Sequence, residues 1–267
     1  EAAAASVELV AQIGGTCNAL VAQGNLLYAG IGPALVVLDV SDPSRPAEVG
    51  RLLLPDVVGG ICLSGSYAYV ADTAAGLRVV DVSDPAHPHE AGACDTPGEA
   101  KGIALAGSRA YVADGSAGLR IVNVTNPSAP SVQGAYDTPG EALAVDVTGS
   151  YAFVADRSGG LRVVDVTNPA NPREVANYAS TAYAVHVTSG RAYLAMTGGV
   201  AVLDVSQPAT PALYASYSCG VCSVEGIRAA GGYAYALDWI NGCLRVIDFR
   251  NPASPRQVGI NDEVAGA

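Results

Sequence analysis

A nine-residue pattern returns six times along the chain. Leu35-Val-Val-Leu-Asp-Val-Ser-Asp-Pro43 is matched by Leu77–Pro85, Leu119–Pro127, Leu161–Pro169, Val200–Pro208 and Leu244–Pro252. The acidic or amide position at Asp39, Asp81, Asn123, Asp165, Asp204 and Asp248 recurs at spacings of 42, 42, 42, 39 and 44. An aromatic column at Tyr28, Tyr69, Tyr111, Phe153, Tyr193 and Tyr235 keeps nearly the same period. A fixed period of about 40 residues restricts the chain to repeat architectures, in which no unit buries its apolar faces alone.

Each unit reads as four short strands. In the fourth, an apolar run at 142–148 ends in the turn Gly149-Ser150, and a run rich in aromatic and β-branched residues follows at 151–155. The cluster Asp156-Arg-Ser-Gly-Gly160 then leads into the nonapeptide strand. Pro169 and Pro172 interrupt the ladder before an alternating outer strand at 173–178. No 3.6-residue periodicity supports helices, so the expected fold is all-β: a six-bladed β-propeller of four-stranded antiparallel blades, about 42 residues each. We label the strands of each unit A to D from the axis outward. The small residues Ala19, Gly60, Gly102, Ala144, Ala184 and Gly226 on strand A fit the crowding near an axis.

The motif Leu-Arg-Val-Val-Asp-Val-Ser-Asp-Pro at this period resembles the LVIVD-repeat family, over about residues 7 to 261. That resemblance implies a bacterial or archaeal β-propeller, secreted or displayed at the cell surface. It implies no assigned activity. On this reading residues 1–267 form a single propeller domain.

Composition narrows the function. A net charge of −11 with only 14 basic residues, one of them lysine, argues against nucleic acid and against an anionic membrane surface. No apolar run is long enough to span a bilayer. The opening Glu1-Ala-Ala-Ala-Ala-Ser6 lacks the basic start and apolar core of a signal peptide and is compatible with a mature end after cleavage. Val7–Ile13 reads as a seventh outer strand for six units. The first expectation is that it helps to close the ring. The second is that it pairs with a neighbouring subunit, giving a homo-oligomer or filament.

The six cysteines permit disulfides in an exported chain. Cys219 and Cys222 lie in the link entering unit six, Cys243 in a hairpin of that unit and Cys17 at the start of unit one. The expected bridge joins Cys243 to Cys219 or Cys222, with Cys17 taking the remaining thiol. A zinc site from these four residues is the lesser reading, and no metal site is assigned. Cys62 and Cys94 are expected as free buried thiols.

Three polar constellations merit attention. The pairs Asp72/Arg78, Asp114/Arg120, Asp156/Arg162 and Asp238/Arg245 face each other across the hairpin between strands B and C, and are expected as exposed structural ion pairs. Blades one and five lack both members, with Gly30 and Met196 in place of the aspartate. On strand A, Asp146, His186 and Arg228 fall at one level with Cys62, a candidate acid–base or anion-binding cluster whose simpler reading is a satisfied polar network. Finally, Glu99, Glu141 and Glu225, with Asp56, Asp95 and Asp137, lie on the side carrying Asp72, Asp114 and Asp156, and a duplicated Thr-Pro-Gly-Glu stands at 96–99 and 138–141. Such a rim would attract a basic partner or calcium, although no dedicated calcium motif is present and no cofactor is expected.

Phosphate-loop, dinucleotide and metalloprotease motifs are absent. Asn123-Val-Thr125 matches a glycosylation acceptor but lies in a C strand. The expected function is therefore a non-catalytic protein-interaction, adhesion or self-assembling module of the cell exterior. An enzyme or small-ligand binder using the channel mouth is the alternative.

Overall fold

The structure, a computed structural model, describes residues 17–261. The strand expected at Val7–Ile13 lies outside them. Unit one holds β1 (Cys17–Gln23), β2 (Leu26–Ile31), β3 (Ala34–Asp39) and β4 (Ala47–Leu53). Unit two holds β5 (Gly60–Ser64), β6 (Tyr67–Ala71), β7 (Leu77–Asp81) and β8 (His89–Cys94). Unit three holds β9 (Gly102–Ala106), β10 (Arg109–Ala113), β11 (Leu119–Asn123) and β12 (Ser131–Tyr136). Unit four holds β13 (Ala144–Thr148), β14 (Tyr151–Ala155), β15 (Leu161–Asp165) and β16 (Arg173–Tyr178). Each of these is an antiparallel four-stranded blade in chain order.

The last two repeats depart from that plan. β17 (Ala184–Thr188), β18 (Arg191–Asp204), β19 (Ala212–Ala230), β20 (Tyr233–Asp238), β21 (Cys243–Asp248) and β22 (Arg256–Asn261) form one six-stranded sheet. The propeller therefore has five blades among the described residues, and the expected six is corrected. Two long strands cause the merger. β18 runs through both the B and C positions of repeat five, turning at Gly198 and Gly199, whose φ values are +82° and +150°. β19 runs from the D position of repeat five into the A position of repeat six. The links into units two, three and four carry Pro55, Pro97 and Pro139, which cannot donate to a ladder. The link through Ser218–Ser223 carries no proline, and both residues still pair with β18.

Two turns explain the nonapeptide. The first side-chain oxygen of its acidic or amide position accepts the backbone N–H two residues on: Asp39–Ser41 at 2.8 Å, Asp81–Ser83 at 2.8 Å, Asn123–Thr125 at 2.9 Å, Asp165–Thr167 at 2.9 Å, Asp204–Ser206 at 2.9 Å and Asp248–Arg250 at 2.9 Å. The second such position does the same at Asp42, Asp84, Asn126, Asn168 and Asn251. These Asx turns end strand C and start the proline loop. Asn123 is thus a turn residue. Beyond the loop, every C–D pair shifts register at the same place, as between Val79 and Val80, a bulge that sharpens blade twist.

The core sits between units rather than within them. Tyr28, Leu35 and Val37 pack with Ile61, Val70 and Val80 of unit two. The same columns join units two and three, three and four, four and five, and five and six. The aromatic column and the alanines after it face the next unit, and the strand-A column Ile61, Ile103, Val145, Val185 and Ile227 faces the preceding one.

Candidate functional site

The Asp–Arg pairs form as expected, but the carboxylates are buried, and the expectation of exposed pairs is corrected. Asp72, Asp114 and Asp156 are fully enclosed and Asp238 is nearly so. Their partners approach from the neighbouring strand at 3.8 Å for Arg78, 3.5 Å for Arg120, 3.6 Å for Arg162 and 2.7 Å for Arg245. The cover comes from the preceding link. Thr96 donates its hydroxyl to Asp114 at 2.5 Å, and the Gly98 N–H donates to the other oxygen at 3.0 Å. Thr138 and Gly140 repeat the arrangement on Asp156 at 2.5 and 2.8 Å. A Cβ on Gly98 would meet the Asp114 carbonyl oxygen at 2.0 Å, so only glycine lets the main chain come this close. The duplicated Thr-Pro-Gly-Glu is thus a latch over a buried carboxylate.

Where the latch changes, the carboxylate changes with it. Leu54 stands where Thr96 and Thr138 stand in the later links. Asp72 keeps a main-chain donor, the Asp56 N–H at 3.3 Å, but its Oδ1 is buried without a hydrogen bond. Burial pushes this carboxyl up to about 6, more than its few hydrogen bonds and Arg78 can offset. Burial also raises Asp156, against the donors Thr138 and Gly140. At Asp238 burial acts in the same sense, but hydrogen bonds from Asn241 and Arg245 outweigh it and hold the group below its usual range. In unit five, where Met196 replaces the aspartate, Ser180 donates to its sulfur at 3.2 Å.

The axial column is brought together. Asp146 and Arg228 lie within electrostatic reach of both His186 and Cys62. Asp146, His186 and Cys62 each bond the next unit's main chain, whereas Arg228 donates to the carbonyl of its own neighbour Ile227 at 3.2 Å. The oxygens of Asp146 accept Val147 N–H at 2.8 Å and Val187 N–H at 2.7 Å. His186 Nδ1 accepts the Ala229 N–H at 3.1 Å, which fixes the proton of a neutral ring on Nε2. Burial lowers this imidazole, with Asp146 opposing and Arg228 assisting, so it is neutral at pH 7. Cys62 donates to Ile103 O at 3.2 Å, and burial pushes its thiol up to about 11, far from a thiolate nucleophile.

The acidic rim is largely paired. Asp95 meets Arg78 at 3.1 Å and Asp137 meets Arg120 at 3.1 Å. Glu99 meets Lys101 and Glu141 meets Arg157, both at 2.5 Å. Asp56 accepts the Ala74 N–H at 3.1 Å. Exposed Glu225 lies in the field of Arg157. Among the described residues no group of three or more His, Cys, Asp or Glu is arranged to hold a metal, and no helix is long and apolar enough to cross a membrane.

The disulfide joins Cys219 to Cys222, and the expected bridge to Cys243 is corrected. The two Cα atoms are 6.0 Å apart across Gly220 at φ +74°, a close pairing inside the bulged stretch of β19 between Ser218 and Ser223. Cys243 is a buried thiol 3.9 Å from the Asp238 carboxylate, and Cys17 is an exposed one. Cys62 and Cys94 are unbridged and partly buried. An open recess lined by Asp248, Arg250, Asn251, Ser254 and Arg256 lies on the unit-six proline loop, away from the axial column.

Sequence reasoning missed one surface. Unit six exposes Val221, Tyr235, Leu237, Trp239 and Ile240. The signal was present: Leu237 breaks a column of alanines at 71, 113, 155 and 195, and Trp239 is the sole tryptophan.

Several solved structures share the fold. The β-propeller domain of Cps50 (Swd1) from Myceliophteria thermophila matches with a TM-score of 0.74 at 14% identity, over 94% of this chain and 87% of that one. A putative 6-phosphogluconolactonase from Bacteroides uniformis matches at 0.74 and 12% identity, over 90% and 83%. The computationally designed Ika8 protein matches at 0.67 and 9% identity, over 93% and 87%. At these identities the likeness speaks for fold alone. No curated protein matches the sequence. The family model of the LVIVD repeat matches at residues 14–53, 57–96, 97–138, 139–180, 181–219 and 223–262. With six matches spanning nearly all of the described chain, this β-propeller belongs to the LVIVD-repeat family.

Proposed function

We propose that the chain is a non-catalytic protein-interaction module of the cell exterior, built as one propeller domain over residues 1–267. One observation carries the reading: the axial polar groups serve the scaffold. Asp146, His186 and Cys62 each bond the main chain of the following unit, and Cys62 is held as a thiol. A working acid–base site needs groups aimed at a substrate rather than at backbone. The Cys219–Cys222 disulfide favours an oxidising compartment, consistent with export. No cofactor is required by this reading.

The runner-up, an enzyme or ligand binder at the channel mouth, would rest on His186 Nε2 and the exposed Arg228 guanidinium. One assay separates the two. The purified chain and its His186→Ala variant are offered 6-phosphogluconolactone and generic ester substrates. No turnover above buffer is expected from either protein. Turnover by the parent that His186→Ala abolishes would overturn the module reading. Fractionation of cells producing the full-length protein tests location, with recovery in the surface or culture fraction expected. Recovery confined to the cytoplasm would refute export.

A further inference from the structure

Five junctions between successive units each hold a buried cluster, and each uses the same columns. Among the described residues no such cluster joins unit six to unit one. Among the described residues, the two surfaces that would form it carry exposed apolar side chains. On unit six, Tyr235 is 39% exposed, whereas Tyr28, Tyr69, Tyr111, Phe153 and Tyr193 are at most 6% exposed. Leu237 is 52% exposed at a position where Ala71, Ala113, Ala155 and Ala195 are fully buried. On unit one, Leu20 is 57% exposed, whereas Ile61, Ile103, Val145, Val185 and Ile227 are at most 9% exposed. Trp239 and Ile240 extend the open face beyond the end of β20.

These are the two halves of an interface the molecule already makes five times. Unit six presents the side that elsewhere receives a following unit, and unit one presents the side that elsewhere meets a preceding one. We propose that unit six of one copy docks against unit one of a second copy, so that the chain assembles head to tail through a repeat of its own internal junction. The proposal rests on the interaction-module reading and names the partner as a second copy. Such a contact is heterologous, and it extends into a filament unless its rotation closes a ring. Large exposed apolar side chains clustered on one face are the usual mark of such a surface.

The test mixes two preparations, both carrying Cys17→Ser to remove the exposed thiol beside Leu20. One is isotope-labelled and carries Leu20→Cys. The other is unlabelled and carries Leu237→Cys. After mild oxidation, mass spectrometry is expected to find a peptide joining position 20 of the labelled chain to position 237 of the unlabelled one. Light scattering of the parent is expected to show a mass rising with concentration. Leu237→Arg should return it to a monomer with an unchanged circular dichroism spectrum, because this side chain is not part of the buried core. A parent that stays monomeric at high concentration, or a mixture that yields no peptide joining position 20 of the labelled chain to position 237 of the unlabelled one, would overturn head-to-tail assembly. That outcome would leave the module reading to stand or fall on the turnover assay.

Discussion

Units three and four and the pair formed by units five and six start from the same repeat and end differently. In units three and four a proline ends each incoming link, a threonine latches a buried carboxylate, and both faces of the blade are covered. In units five and six the links lose that punctuation. The aspartate of unit five is a methionine, two strands run on through neighbouring positions, and a disulfide turn replaces the Thr-Pro-Gly-Glu loop. The difference teaches that the nonapeptide sets the strand and its turns, whereas the links decide whether blades stay separate.

The sharpest way to break the comparison is to remove a latched carboxylate. Asp114→Ala leaves Arg120, Thr96 and the Gly98 N–H without their buried acceptor and should cost about 3–5 kcal/mol in urea unfolding. The corresponding Met196→Ala in unit five has no charge to orphan and should cost less. Removing the latch alone comes next. Thr138→Val deletes a hydrogen bond to a buried charge and should cost about 1.5–3 kcal/mol by the same measurement.

Unit two tests the comparison through pH. Asp72 titrates at about 6 in the folded chain against 3.8 for an ordinary aspartate. Between those values the folded state holds the extra proton, so this group's contribution to stability falls as pH rises from about 4 to 6. Asp72→Asn should flatten that part of a melting-temperature profile. It should be tolerated at pH 7, because Arg78 keeps Asp95 at 3.1 Å. A profile as steep in the variant as in the parent would show that Asp72 is not the source of that pH dependence.

Smaller effects are expected at the two remaining features. Opening the Cys219–Cys222 bridge by Cys219→Ser should cost about 1–2 kcal/mol, as expected for so short a closed loop. The loss should appear as earlier unfolding of units five and six in hydrogen exchange. Glu99→Gln, which removes a rim ion pair with Lys101, should change stability by about 0–1 kcal/mol. An effect as large as that of Asp114→Ala would mean the rim is structural rather than solvated.

Much of this was legible in the residues. The Asx turns follow from Asp-Val-Ser and Asn-Val-Thr, and the Asp–Arg pairing follows from their joint loss in units one and five. The inward-facing columns follow from the strand period. What the sequence hid was the depth of the carboxylates, because it depends on a link from the preceding unit folding over them. The merger of units five and six was also hidden, since a strand count cannot say whether a link bends or pairs. The bridge to Cys243 was expected because a Cys-Gly-Val-Cys segment does not announce that it can bulge within one strand and close on itself. The axial cluster is polar by its residue types, but that Asp146, His186 and Cys62 bond the next unit's backbone depends on geometry between blades.

The latch also bears on how such a chain changes length. Its donor sits in the link before a unit and its acceptor inside that unit, so a segment from Thr96 to Asp137 carries Thr96, Gly98 and Asp114 together. Duplicating or deleting that segment moves a complete latch and leaves every other carboxylate with its own cap. A break between Gly98 and Asp114 would instead strand a buried charge. Recombination is therefore tolerated at one point in the repeat and penalised elsewhere, so that a whole unit can be gained or lost without stranding a charge.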